Sequence, residues 1–538
     1  MTQEIDVSSK GHPFQKHWQF CIGSGHAPLT LRADSQELLA RLHRELGISY
    51  VRFHGVLSDD MGVVNTFADL FPLRGGERFS EYNFRRIAAS YDGILKAGMK
   101  PFVELSFMPE KIAADPSKRC FFYYRDKNVI SLPKDDAAWT DLITAFVQFL
   151  LARYGKEEVE SWYFEVWNEP DLSGFFAGTK EDYFHLYEIT ARAIKAVDEG
   201  LQVGGPATSC SKWVHGFLAF CKENKVPVDF VSTHQYAGDP VGMIDVEGKS
   251  EAEEKPEDFS GFGEADLFAG VPDGSVLDAL RHMMPDPSET KDLPDDVFRT
   301  NARIVREQIA RSGVQEKDGG PLPLFYTEWS ENAVFSAWTN DTRKEAAYLV
   351  RAALDTEGVI DASSVWCASD IFEEFHLFRE EFHGGFGLLT QSGIEKPSFW
   401  AMKLLSILYG ERIDLPAKLS EGEIGVAAFR GSDHALQVLL YRQKMKNEDL
   451  PEQSCEIVLS GLANPSQVTL QRIDETHGNP LAAWKKLGSP AIPTPKEVEE
   501  IRSSSRVVEE PLPYQLSEGK LSFQASLGVN DVWLVTIR

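Results

Sequence analysis

Two carboxylates stand in apolar, aromatic runs of the kind that a folded protein buries. Glu169 lies in residues 161–171 (SWYFEVWNEPD) and Glu328 in residues 321–330 (PLPLFYTEWS). Both runs are rich enough in aromatic and β-branched residues to read as buried strands. Pro170 cannot donate to a sheet ladder, so pairing is expected to stop there and leave Asn168 and Glu169 at the strand's C-terminal mouth. A carboxyl that titrates beside an amide that holds a hydroxyl suits general acid/base work. Two such carboxylates on strand ends are the minimum apparatus for hydrolysing a glycosidic bond.

The elements that must position them alternate regularly. Strands are expected at 17–22, 50–57, 100–107, 161–169, 202–206, 226–236, 321–330 and 363–371. Helices are expected between them at 35–46, 81–97, 135–154, 181–197, 211–222, 297–311 and 343–356. In the first helix Leu38, Leu39, Leu42 and Leu46 share one face and Gly47 caps the end. Eight strands alternating with helices predict an α/β protein, a closed (β/α)8 TIM barrel. Such barrels carry their chemistry at the strands' C-terminal ends, where the sequence puts Arg52, His54, Glu104, Asn168, Glu169, His234, Tyr236, Glu328, Asp370 and Glu373.

The pairing of WNEP with TEW resembles glycoside hydrolase family 39, specifically its β-xylosidase branch, and the likeness runs over nearly the whole chain. The resemblance implies that Glu169 is the acid/base and Glu328 the nucleophile of a retaining exo-glycosidase that removes terminal β-D-xylosyl residues. By the same match Asn168 holds the sugar's 2-hydroxyl, Arg52 and His54 brace the carboxylates, and His234 and Tyr236 orient the nucleophile and the glycone. Trp366 corresponds to the aromatic on which the sugar stacks, Phe107 to a pocket wall, and Glu373 and Glu374 to the pair binding distal hydroxyls. Phe107 and Trp366 also suit plain core packing, and alternation along an extended chain turns one of the two glutamates away. On this reading the acid/base carboxyl is raised mainly by the neighbouring negative charge. β-Glucoside, β-galactoside, α-L-arabinoside and α-L-iduronide cleavage, and a non-catalytic sugar-binding barrel, are the alternatives.

The domain division predicted is a catalytic barrel over 15–375 and an accessory β-sandwich with one helix over 376–538, which residues 1–14 join. Short strand runs at 436–442, 455–459, 467–473 and 531–537 carry the sandwich. Residues 239–296, acidic and far longer than an ordinary βα loop, are expected to wall the leaving-group side of the pocket.

Composition narrows the partners. The net charge of −27, from 55 Lys and Arg against 82 Asp and Glu, repels phosphate backbones and anionic membranes. The partner expected is a small oligosaccharide or glycoside, with no nucleic acid and no membrane, and a homo-oligomer is left open. The first ten residues lack the apolar stretch of a secretory signal, so a cytoplasmic location is expected. The six cysteines have no CxxC pairing or close histidines, so neither metal, cofactor nor disulfide framework is expected.

Overall fold

The computed structural model describes residues 2–64, 82–120, 128–239, 293–374, 378–420, 422–433, 435–446, 449–462 and 465–538. Most of the acidic insertion expected to wall the pocket lies outside the described residues.

Eight parallel strands close a barrel in chain order. They are β1 (Cys21–His26), β2 (Tyr50–His54), β3 (Lys100–Leu105), β4 (Tyr163–Val166), β5 (Gln202–Thr208), β6 (Phe230–Tyr236), β7 (Leu324–Ser330) and β8 (Ala362–Val365). The helices between them are α1 (Ala33–Leu46), α2 (Arg85–Lys96), α3 (Asp136–Tyr154), α4 (Lys180–Val197), α5 (Val214–Asn224), α6 (Val297–Ser312), α7 (Arg343–Asp355) and α8 (Pro397–Ser406). Their starts follow local capping chemistry: Asp135 accepts from Ala138 N before α3, and Thr179 and Asp182 form a capping box on α4.

Period-two alternation sorts the barrel interior into levels. At the N-terminal end Cys21, Phe102, Phe230, Phe325 and Ala362 form an apolar plug with Phe20, Tyr50 and Tyr163. One step up the strands come Arg52, Glu104 and Glu165, all buried. Above them stand His54, His234, Glu328 and Trp366.

Most strand ends fall a few residues from the sequence expectation, and three of the differences bear on the site. β1 lies four residues further on, residues His17–Gln19 being a 3-10 turn in which His17 bonds Ser363 Oγ at 2.9 Å and Ala353 O at 3.0 Å. Gly23 and Gly25 lie inside this strand, and the neighbouring indole crosses it at Gly23, where a Cβ would stand 2.2 Å from Trp366 Cε3. β4 stops at Val166, before Pro170, since Trp167 (φ 69°) and Glu169 (φ 40°) turn left-handed. β8 stops at Val365, so Trp366 and Asp370 lie beyond it.

The last of the helices named above, α8, lies beyond the expected division at 375/376 and packs on α7 of the barrel. Its Phe399, Ala401, Met402, Leu404 and Leu405 are buried in a core that runs from the barrel helices to Phe429, Leu439 and Leu534 of the sandwich. The sandwich holds further helices of its own, Pro480–Lys486 and Pro495–Ser504. Its four-stranded sheet joins Thr2–Asp6, Gln453–Ser460, Lys520–Leu527 and Gln515–Ser517, and its seven-stranded sheet runs from Glu510–Pro511 to Gly11–Pro13. Ile5, Ile457 and Phe523 of one sheet meet Val438, Leu470 and Val535 of the other in a second core. Trp484, on the helix Pro480–Lys486, packs on Phe382 with ring centroids 5.3 Å apart.

One buried cation fastens the segment after β8. Lys396, without exposed surface, pairs with Asp341 (2.6 Å) and Asp370 (2.7 Å) and donates to Gly385 O (2.9 Å). Breaking a buried pair by removing one partner costs about 3–5 kcal/mol, because the other charge stays buried. Lys396→Met is therefore expected to lower the urea midpoint of barrel unfolding markedly, as read by tryptophan fluorescence. An unchanged midpoint would contradict this account of the segment.

Candidate active site

Arg52, in the middle of β2, has no exposed surface and is ringed by acids and an amide. Its Nε donates to Glu165 Oε2 (2.6 Å), Nη1 to Glu328 Oε1 (2.7 Å) and Nη2 to Asn168 Oδ1 (2.9 Å), with Glu104 Oε2 3.2 Å from Nη2. Thr327 Oγ1 donates to the other Glu165 oxygen (2.8 Å). Two consecutive residues, Thr327 and Glu328, thus reach the same interior network. An ordinary strand forbids that, and the register between β6 and β7 shifts by one residue at this place, with Thr233 opposite Tyr326 and His234 opposite Glu328.

Glu328 is held at both oxygens, since Tyr236 OH donates to Oε2 (2.9 Å) while Arg52 holds Oε1. His54 Nε2 stands 3.5 Å from Oε1, and His54 Nδ1 bonds Glu104, whose other oxygen accepts from Ser106 Oγ. Burial brings the His54 ring down to about 3, so it is neutral here, and pushes the Glu104 carboxyl up to about 7 against the pull of Arg52.

Glu169 lies just past β4 and is buried. Its Oε1 shares a hydrogen bond of 3.0 Å with His234 Nδ1, and burial brings the His234 ring down to about 4. His234 thus stands between the two carboxyls, nearer Glu169, with Glu328 Oε2 at 3.8 Å. The Glu169 carboxyl is held well above the ordinary carboxylate range by burial, then by Asp171 and Asp239, against Arg52 and Lys212. The cause expected from sequence, a neighbouring charge above all, thus ranks second to burial. Ligand atoms of Glu169, His234 and Glu328 lie within 4.8 Å of one another. The Arg52 guanidinium on Glu328 opposes a second cation at that point.

The remaining sequence candidates divide. Trp366 is 3% exposed and faces the site, its ring 4.8 Å from that of His54. Glu374 is buried with Oε1 3.8 Å from His54 Nε2, so it is the member of its pair that joins the site. Glu373 is only half-buried and its charge acts on Arg32, outside the cluster. Phe107 has no exposed surface and packs between Trp167 and Phe175, with ring centroids at 5.9 and 6.4 Å. Asn168 Nδ2 and His234 Nε2 are buried and meet no hydrogen-bond partner among the described residues, which leaves two polar atoms for a ligand. Sequence reasoning missed Glu165, although its place in the Tyr163, Glu165, Trp167 alternation points it inward, and it missed Asp171 and Asp239.

The family model described as glycosyl hydrolases family 39 matches residues 1–255 and 299–521. A β-xylosidase of Caldicellulosiruptor saccharolyticus is 34% identical, covering 99% of this chain and 98% of its own. A β-xylosidase of Geobacillus stearothermophilus is 32% identical, covering 99% and 95%. The crystal structure of a monomeric β-xylosidase from Caulobacter crescentus CB15 superposes with a TM-score of 0.78 at 31% identity, covering 99% of each chain.

The raised Glu169 carboxyl has a consequence for stability. The folded state binds this proton more tightly than the unfolded chain, so stability is lost as pH rises from the ordinary value of 4.5 through the higher folded one. Glu169→Gln lacks that loss. Its melting temperature is expected to exceed that of the wild type at neutral pH, with the gap closing below about pH 4.5 in scanning calorimetry across a pH series. A gap that widens toward acid would reverse the sign argued here.

Proposed function

The chain belongs to glycosyl hydrolase family 39, and from that premise we propose that it is a retaining exo-β-xylosidase, working by double displacement with Glu328 as nucleophile and Glu169 as acid/base. The observation that carries the mechanism is the approach of the two carboxylates, with an oxygen of each within 4.8 Å of the other. Retention needs carboxyl groups roughly 5–5.5 Å apart, whereas inversion needs about 6.5–9.5 Å to seat a water between them.

In the first step Glu328 attacks the anomeric carbon while Glu169 gives its proton to the leaving oxygen. Tyr236 OH and Arg52 hold the two Glu328 oxygens and so fix the direction of attack. Glu169 starts protonated because the fold disfavours its charge. Once Glu328 is esterified its negative charge is gone, the Glu169 carboxylate becomes easier to form, and it takes a proton from the water that releases the sugar. Asn168, its Oδ1 fixed by Arg52, presents its Nδ2 to the sugar's 2-hydroxyl, a contact that strengthens as the oxocarbenium-like transition state forms. Trp366 offers the stacking face and Glu374 an acceptor for a distal hydroxyl.

The two β-xylosidases named above, each matched over nearly the whole chain, support this substrate class. Electrostatics favours a neutral sugar as well. A uronate would enter beside Glu328 and Glu374, and the Arg52 guanidinium is already committed to Glu165, Glu328 and Asn168.

The test is hydrolysis of aryl β-xyloside, β-glucoside, β-galactoside, α-L-arabinoside and α-L-iduronide by the wild type, Glu169→Ala and Glu328→Ala, with and without azide. The β-xyloside is expected to be cleaved fastest. Glu169→Ala is expected to lose about 10²–10⁴-fold on substrates with poor leaving groups and to yield the β-glycosyl azide. Glu328→Ala should be inactive without azide and give the inverted azide with it. Azide products of the opposite anomers would exchange the two roles, and a faster sugar would replace the xyloside.

A further inference from the structure

We propose that Asp171 is the positioning residue of the acid/base: through Ser209 it locks residues 207–213 onto the exit of β4 and so fixes where Glu169 points. This rests on the reading of Glu169 given above and goes beyond it. Glu169 N donates to Ala207 O (2.8 Å), while Asp171 accepts from Ser209 N at Oδ1 (2.9 Å) and from Ser209 Oγ at Oδ2 (2.5 Å). Three bonds therefore join the two loops within three residues on each side.

The joined loops are strained. Glu169 (φ 40°), Ala207 (φ 55°), Cys210 (φ 51°), Ser211 (φ 58°) and Trp213 (φ 61°) are all left-handed without being glycine. Such a backbone persists only where its surroundings over-determine it. The far side of the arch is anchored to β6, with Thr233 Oγ1 donating to Thr208 O (2.9 Å) and Ser211 Oγ to Gln235 Oε1 (2.9 Å). Next along β6 from these anchors are His234, which bonds Glu169, and Tyr236, which bonds Glu328. The arch thus ties the acid/base to the strand that steadies both carboxyls.

Charge acts in the same direction as geometry. The groups facing Glu169 are Asp171 and Asp239, which favour its neutral form, Arg52 and Lys212, which oppose it, the neutral His234, and Glu328 across the site. Lys212, itself on the arch, has its Nζ 4.0 Å from Asp171 Oδ2.

Asp171→Asn keeps an acceptor for Ser209 N–H and removes the charge. Ser209→Ala removes one of the two bonds to Asp171 and keeps the charge. Both are compared with the wild type and Glu169→Ala for kcat/KM, across pH, on a dinitrophenyl β-xyloside, whose leaving group needs no proton, and on an alkyl β-xyloside, whose leaving group does. Asp171→Asn is expected to lose about tenfold or more on the alkyl substrate and little on the dinitrophenyl one, as misplacement of an acid requires. Its basic limb should move to lower pH, because a negative neighbour of Glu169 is gone. Ser209→Ala should show the same substrate split with the limb unmoved, and carries the test if Asp171→Asn fails to fold. Equal losses on both substrates, or wild-type behaviour of both variants, would overturn the proposal. If Glu169→Ala itself slows both substrates equally, the acid/base assignment fails instead.

Discussion

The centre of this molecule is a guanidinium that water does not reach. Arg52 pairs with Glu165 and Glu328, stands beside Glu104 and holds Asn168, all inside a barrel sealed below by aromatic rings. Several carboxyls around one cation would leave surplus negative charge in a low-dielectric interior. The structure relieves it by protonation, with the Glu104 carboxyl pushed up to about 7 and Glu169 raised further from its ordinary state. A buried charge of this kind is costly unless paired and hydrogen-bonded at nearly every donor, and here each Arg52 nitrogen has a partner. Removing Arg52 would free several acids at once, so the barrel's polar level and the reactive level above it share one support.

Much of this was readable from residue order. The aromatic and β-branched run in 161–171 and the regular strand and helix spacing carried the barrel, because period-two and period-3.6 burial leave marks in any sequence. What local pattern could not carry was the exact course of the backbone at the strand ends. Trp167 and Glu169 adopt left-handed angles that neither residue prefers, so β4 stops earlier than Pro170 would require. The shifted register at Thr327 sends two neighbours inward, against the alternation on which sequence reading depends.

The site shows the same division. Residue types and motif likeness brought Glu169, Glu328, Asn168, Arg52 and Tyr236 to one place, and the structure gathers them there. The contacts among them followed three-dimensional neighbours that a sequence does not order: His234 stands nearer Glu169 than Glu328, Glu374 enters while Glu373 leaves, and Phe107 packs between Trp167 and Phe175. Glu165 was visible in its own strand's alternation, but it draws notice only once Arg52 is known to need it. Burial, which dominates the Glu169 proton affinity, is a property of the closed barrel and has no local signature.

The pairing of Thr2–Asp6 with Gln453–Ser460 bears on how the protein is made. Thr2 lies opposite Glu456, and Thr2 Oγ1 donates to its carboxylate, a contact across 454 positions. At roughly 5–20 residues per second a ribosome takes on the order of 20–90 s to cover that distance. The barrel strands emerge within that interval and can pair with their neighbours while the leading strand still has no partner. The four-stranded sheet is therefore completed only after Gln453–Ser460 has been synthesised, and until then Thr2–Asp6 is an unpaired strand edge of the kind that invites pairing elsewhere.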